Sequence, residues 1–170
     1  MARVAVVIAD GFEDREFDQP RAALEAAGHD VSVIGMAAGA RLVGKARQVE
    51  VTVDAGIADV ESADFDALLI PGGHSPDALR KHDRVVAFVR ESAEQDMPIA
   101  AICHGGVLLV EADVVRGRTV TSWPSVRREL EEAGANWVDR EVAVDGNLIS
   151  SRKPADLDAF IRALLTATAD

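Results

Sequence analysis

Residues 98–106 read Pro98-Ile99-Ala100-Ala101-Ile102-Cys103-His104-Gly105-Gly106. The apolar run from Ile99 to Ile102 is short and continuous, the pattern of a strand buried on both faces. Residues 105–112 are rich in Val and Leu and predict the start of a helix. Cys103, the only cysteine of the chain, therefore falls on a strand-to-helix turn. Such a turn gathers unpaired N–H groups and the positive end of a helix dipole, which favours the thiolate. The same geometry presents the nucleophile of the hydrolase elbow. A lone cysteine is most often a small buried hydrophobe. The adjoining His104 and the paired glycines turn the reading toward a nucleophile.

Outward from this turn, strands alternate with helices. Residues 3–9 (RVAVVIA), 30–35 (DVSVIG) and 67–70 (ALLI) read as buried strands. Residues 16–27 carry helical spacing and stop at Gly28; residues 83–94, 124–133 and the segment from Pro154 read as further helices. Residues 48–53 (QVEVTV) alternate and predict a half-exposed excursion from the main sheet, and residues 119–121 a short strand. Residues 141–150 (EVAVDGNLIS) predict a hairpin with a type I′ turn at Asp145-Gly146. The pattern is that of one α/β domain over residues 1–170, a mostly parallel sheet covered by helices on both faces, with a small hairpin. Ligands of such sheets bind beyond the carboxyl ends of the strands. Three loops lie there: residues 10–16, residues 71–77 and Cys103-His104.

The first of these loops carries four carboxylates, Asp10, Glu13, Asp14 and Glu16. A solvated helix start accounts for Asp14. Glu16, one turn into the helix, can face the thiol; beside a sulfur it is expected to hold its proton and donate to it. Glu13 is the second candidate for that role. In the second loop, Pro71-Gly72-Gly73-His74-Ser75-Pro76-Asp77, paired glycines let N–H groups approach a ligand as an oxyanion hole requires, although a plain turn has the same composition. His74 and His104 are each a candidate base or a pocket-lining imidazole. The four histidines and one cysteine show no metal-ligand spacing, so no metal site is expected.

Other α/β functions are excluded by detail. A dinucleotide site needs Gly-x-Gly-x-x-Gly after the first strand, where this chain has an acidic loop. The strand from Ala67 ends in Pro-Gly-Gly rather than in a phospho-accepting aspartate, and the His-x-Glu pair of glutamine amidotransferases is missing downstream. A net charge of −11 and a pI near 4.7 disfavour nucleic acid. No segment has the length of a membrane span and no signal peptide precedes the first strand. One cysteine cannot form an intrachain disulfide, so a cytoplasmic location is expected.

Five ordered motifs then carry a family resemblance: Gly11-Phe12-Glu13-Asp14-x-Glu16, Phe65 through Gly73, Ala101-Ile102-Cys103-His104-Gly105, Arg116-Gly117-Arg118, and Val144-Asp145-Gly146-Asn147 leading to Ser150-Ser151-Arg152. The chain resembles the PfpI intracellular-protease family, in the superfamily of the parkinsonism-associated deglycase, and most the short bacterial stress-protective members. The resemblance implies a flavodoxin-like three-layer sandwich with Cys103 as nucleophile. It implies Glu16 as the buried partner of the sulfur with Glu13 nearby, the backbone of Gly73 and His104 as oxyanion hole, and no cofactor. In protease-like members the acid that orients the counterpart of His104 comes from a neighbouring subunit. It falls on Asp77 here, where the prototype has glutamate. A homodimer or hexamer is expected on the same ground. Gly106 replaces the family's usual proline, and Trp123, expected in the pocket, replaces a frequent tyrosine. The expected activity is cofactor-free hydrolysis or lyase chemistry on small carbonyl compounds or glycated protein or peptide. A cysteine peptidase and a redox-sensing chaperone that uses oxidation of Cys103 are the alternatives.

Overall fold

Alternate side chains of a strand point to opposite faces, and β1 (Arg3–Val7) is apolar on both. Val4 and Val6 enter one layer of the core, Ala5 and Val7 the other. The computed structural model describes residues 1–169. In it β1 lies inside a seven-stranded sheet with β2 (Asp30–Gly35), β5 (Ala55–Gly56), β6 (Ala67–Ile70), β7 (Ile99–Ile102), β10 (Ala143–Asp145) and β11 (Leu148–Ser151). The order is β10-β11-β7-β6-β1-β2-β5, and only the β10–β11 pair is antiparallel. One face packs Phe17 and Leu24 of α1 (Asp14–Ala26) with Leu157, Phe160 and Leu164 of α6 (Leu157–Thr168). The other is covered by α2 (Ser75–Leu79), α3 (Asp83–Glu94), α4 (Gly106–Glu111) and α5 (Arg127–Glu132), with Phe88, Leu108 and Leu130 fully buried. This is the flavodoxin-like sandwich. Chain order reverses between β1 and β6, so the crevice beyond their carboxyl ends is where such a fold binds ligands.

The expected bounds of β2, β6, β7 and α3 coincide with the observed ones. The alternating stretch from residue 48 contains β4 (Glu50–Thr52), which pairs with β3 (Arg41–Val43) in a separate ribbon, off the main sheet as expected. β8 (Thr119–Val120) also lies outside the main sheet, pairing with β9 (Asn136–Trp137). Two expectations need correction. Asp145 pairs with Leu148, so the hairpin turn is centred on Gly146-Asn147, and only Gly146 takes a positive φ, 58°. A type I′ turn needs positive φ at both central residues and is excluded. The segment from Pro124 opens as a 3-10 turn and becomes α-helical only over α5. No helix among the described residues is long and apolar enough to cross a membrane.

Candidate active site

The three strand-end loops converge, and backbone bonds join the first two. The Glu13 N–H donates to the Gly72 carbonyl (3.0 Å) and the His74 N–H to the Gly11 carbonyl (2.8 Å). Between these bonds Gly73 sits at φ 81°, where a Cβ would come within 2.5 Å of both Glu13 N and the Gly11 oxygen. Glycine is required there by conformation and by space. Glu13 caps α1: its Oε2 accepts the Glu16 N–H at 2.9 Å, and its Oε1 holds Arg15 Nε at 3.2 Å. That cap places Glu16 on the inner face of the first turn, fully buried. Glu16 Oε1 accepts the Gly72 N–H at 2.9 Å, while Oε2 has no hydrogen-bond partner among the described residues.

Cys103 stands against this carboxyl. A Cβ on Gly72 would lie 2.5 Å from Glu16 Oε1 and 2.7 Å from Cys103 Cβ, so the missing side chain admits both groups. Cys103 adopts φ 61°, a left-handed conformation costing on the order of 1 kcal/mol for a non-glycine residue and often found at functional sites. The sulfur accepts the backbone N–H groups of His104 and Gly73, the pair expected to form the oxyanion hole. Burial, together with the charge of Glu13, pushes Glu16 up to about 8, so at neutral pH it holds its proton, as expected. The expectation of a thiol favoured by a helix N-terminus is corrected. α4 begins only at Gly106, behind a 3-10 turn over Cys103–Gly105. Burial and then the charge of Glu16 push the thiol up to about 12.

The two acids therefore ionise as a pair. While Glu16 keeps its proton, its charge does not oppose the thiolate, and the unpartnered Oε2 is free to donate to sulfur. A thiolate would have that donor and two backbone N–H groups. A Glu16 carboxylate would have one backbone N–H and would lie near Glu13. Of the two, Glu16 gives up its proton first, at about 8, ahead of the thiol at about 12.

His104 Nδ1 lies 3.5 Å from Asp77 Oδ2 of the same chain, an ion-pair separation without a formed hydrogen bond. The acid is expected from a neighbouring subunit; within one chain α2 already carries Asp77 to this distance from its own His104. Its start is held by Ser75 Oγ, which accepts the Ala9 N–H at 2.9 Å. Asp14 is also corrected. It is buried rather than solvated, and accepts the N–H groups of Ala46 (2.7 Å), Gln48 and Val49 (2.9 Å each). Burial opposes its charge, but these donors prevail and hold its carboxyl below the usual range.

A cavity of about 410 Å³ joins Cys103, His104, Glu13, Glu16, Gly73, His74 and Trp123, with Arg15, Lys45, Ala46 and Pro154 completing its wall. His74 and Trp123 thus line the pocket as expected. Trp123 is tied to the nucleophile turn by its N–H, which donates to the Cys103 carbonyl at 3.3 Å. Asp77 does not line the cavity and acts only through His104. Lys45, Ala46 and Pro154 went unnoticed in the sequence. Lys45 follows β3 in a loop whose composition signals only a turn. Pro154 is brought in by Arg152, whose guanidinium grips Asp156 and Asp139. A slightly larger hollow of about 460 Å³ between β10 and α6 is lined by alanine and valine together with Glu141, Arg162 and Thr166, and by neither cysteine nor histidine. The Cys103 cavity is the one equipped for chemistry.

Comparison with known proteins agrees with this geometry. The model of the DJ-1/PfpI family matches residues 2–167. General stress protein 18 of Bacillus subtilis (strain 168) is 48% identical over 161 residues, 94% of each chain. Protein/nucleic acid deglycase 2 of Escherichia coli (strain K12) is 46% identical over 164 residues, 96% of this chain and 95% of that one. YraA of Bacillus subtilis (strain 168), provisionally named a cysteine protease, is 45% identical over 160 residues, 94% of each chain. Among solved structures, a two-domain protein from Anabaena variabilis, with a DJ-1/ThiJ/PfpI-like and a ferritin-like domain, superposes with a TM-score of 0.96 at 37% identity. The match covers 98% of this chain and about half of that one, 48%.

Proposed function

Because the chain belongs to the DJ-1/PfpI family, we propose that it is a cofactor-free cysteine hydrolase or lyase of the deglycase/glyoxalase type, acting on methylglyoxal- or glyoxal-derived adducts in stress protection. The observation that carries this reading is the buried Glu16 carboxyl, protonated at neutral pH with Oε2 unpartnered, set against a strained Cys103 in a small cavity. The thiolate adds to the aldehyde carbon of methylglyoxal and forms a hemithioacetal. Glu16 and His104 move a proton from that carbon to its neighbour through an enediol, leaving a thioester of the 2-hydroxy acid. Water cleaves the thioester, releasing lactate and the free thiol; glyoxal gives glycolate by the same steps. The N–H groups of Gly73 and His104 receive the oxyanion.

The names of the E. coli deglycase and of the Bacillus stress protein support the reading. That deglycase's name includes nucleic acid, but the charge of −11 favours small dicarbonyls and glycated protein or peptide as substrates here. We place the protein in the cytoplasm, as a homodimer or hexamer. A cysteine peptidase is the second reading, favoured by the approach of Asp77 to His104, the residue next to Cys103, and by the name of YraA. A panel of methylglyoxal, glycated peptide and casein, run with wild type and Cys103→Ala, decides. Turnover of the first two, abolished in the variant, is expected. Cleavage of casein alone would establish the peptidase, and oxidation-dependent client binding without turnover the redox chaperone.

A further inference from the structure

Six ionisable side chains share the cavity with the thiol: Glu13, Arg15, Glu16, Lys45, His74 and His104. Arg15 is paired with Glu13, and Glu16 is neutral at physiological pH through burial. Lys45 forms no ion pair among the described residues, and its charge reaches the reacting pair, favouring the ionised form of both Glu16 and Cys103. Its loop is firmly built. Asp14 takes three of the loop's N–H groups, the Lys45 N–H donates to the Phe12 carbonyl at 2.7 Å, and the Gly11 N–H donates to the Val43 carbonyl at 2.9 Å. A chain of net charge −11 repels anions at long range, so a free ammonium group on the wall of this cavity is a local reversal.

We infer that Lys45 forms an anion subsite beside Cys103 that receives the carboxylate of a small 2-hydroxy acid. The choice of acid rests on the proposed function, since lactate and glycolate are the acids that reaction releases. The subsite itself can be read without turnover. Iodoacetate and iodoacetamide differ chiefly in charge and consume the same thiolate, so the ratio of their alkylation rates at Cys103 cancels any change in thiol pKa. Lys45→Met is expected to lower the iodoacetate-to-iodoacetamide ratio about tenfold, the size of one charge-assisted contact. Lys45→Arg should restore most of it, and Lys45→Gln repeats the test should Lys45→Met prove insoluble. Glycolate should slow iodoacetamide alkylation of wild type but not of Lys45→Met, and ethylene glycol should protect neither. An unchanged ratio, or equal protection of both proteins by glycolate, overturns the subsite even where methylglyoxal turnover is intact. A lowered ratio with lost protection supports it even where methylglyoxal is not turned over, an outcome that removes only the proposed reaction.

Discussion

Glu16 controls Cys103 by withholding a charge and by offering a proton. Its full burial makes the neutral carboxyl the ground state at neutral pH, and its Oε2 has no hydrogen-bond partner among the described residues. Glu16→Ala removes the charge that opposes the thiolate, so the midpoint of iodoacetamide alkylation against pH should fall by about one unit or more. Glu16→Gln removes the same charge and keeps an N–H donor, and should lower it at least as far. Alkylation of Glu16→Ala at the wild-type midpoint would show that the Glu16 charge does not reach the sulfur. Glu13, weighed as an alternative partner, is committed to capping α1, and its charge acts on the thiol only by helping to keep Glu16 protonated.

The elements that present these groups differ in how tightly they are built. β7 is buried along its whole length, whereas α4, which follows the nucleophile, opens on Gly106 at φ −59° and ψ −23°. An added Cβ there would meet Leu130, Val126 and Ser122 at 3.5–3.7 Å, ordinary contact distances. The backbone is already helical and the space is open. Gly106→Ala should therefore stabilise the protein by about 0.4–1 kcal/mol, mainly by restricting the unfolded chain. Thermal or urea denaturation checks this, and a destabilised variant would mean that the turn depends on a freedom the static geometry does not display.

Across the whole molecule, the buried carboxyl couples stability to pH. Glu16 loses its proton near 4.5 in an unfolded chain and at about 8 in the folded one. Between these values the folded state keeps a proton that the unfolded chain has released, so stability falls as pH rises. The urea midpoint of wild type should decline from pH 4.5 to about 8, and Glu16→Gln should flatten that decline. Equal slopes would assign the proton to another group. Assembly gives a second test at this scale. Because Asp77 reaches His104 within one chain, mixing inactive Cys103→Ala with an impaired Asp77→Ala should restore no activity, whatever the oligomer. Recovery on subunit exchange would show that the acid crosses an interface after all.

While the family motifs assigned Glu16, Gly73 and His104 their places beside Cys103, local pattern alone predicted a mostly parallel sheet covered on both faces, the bounds of β2, β6, β7 and α3, and the convergence of three loops at the strand ends. Each rests on a continuous apolar run, a helical period or a turn residue, all of which lie within a few neighbours along the chain. Tertiary structure decided the rest. Glu16 meets the Gly72 N–H across 56 positions, and Asp14 holds a loop 32 to 35 positions away; no period or spacing encodes such contacts. The thiol's ionisation turned on the same factor, because a helix terminus is visible in sequence while the burial of a sulfur against a carboxyl is not. Nothing in the sequence singles out Lys45, and only the packing of its loop against Asp14 places it on the wall of the cavity. Burial and through-space proximity set the charge states on which chemistry depends, and both exist only once distant segments have packed together.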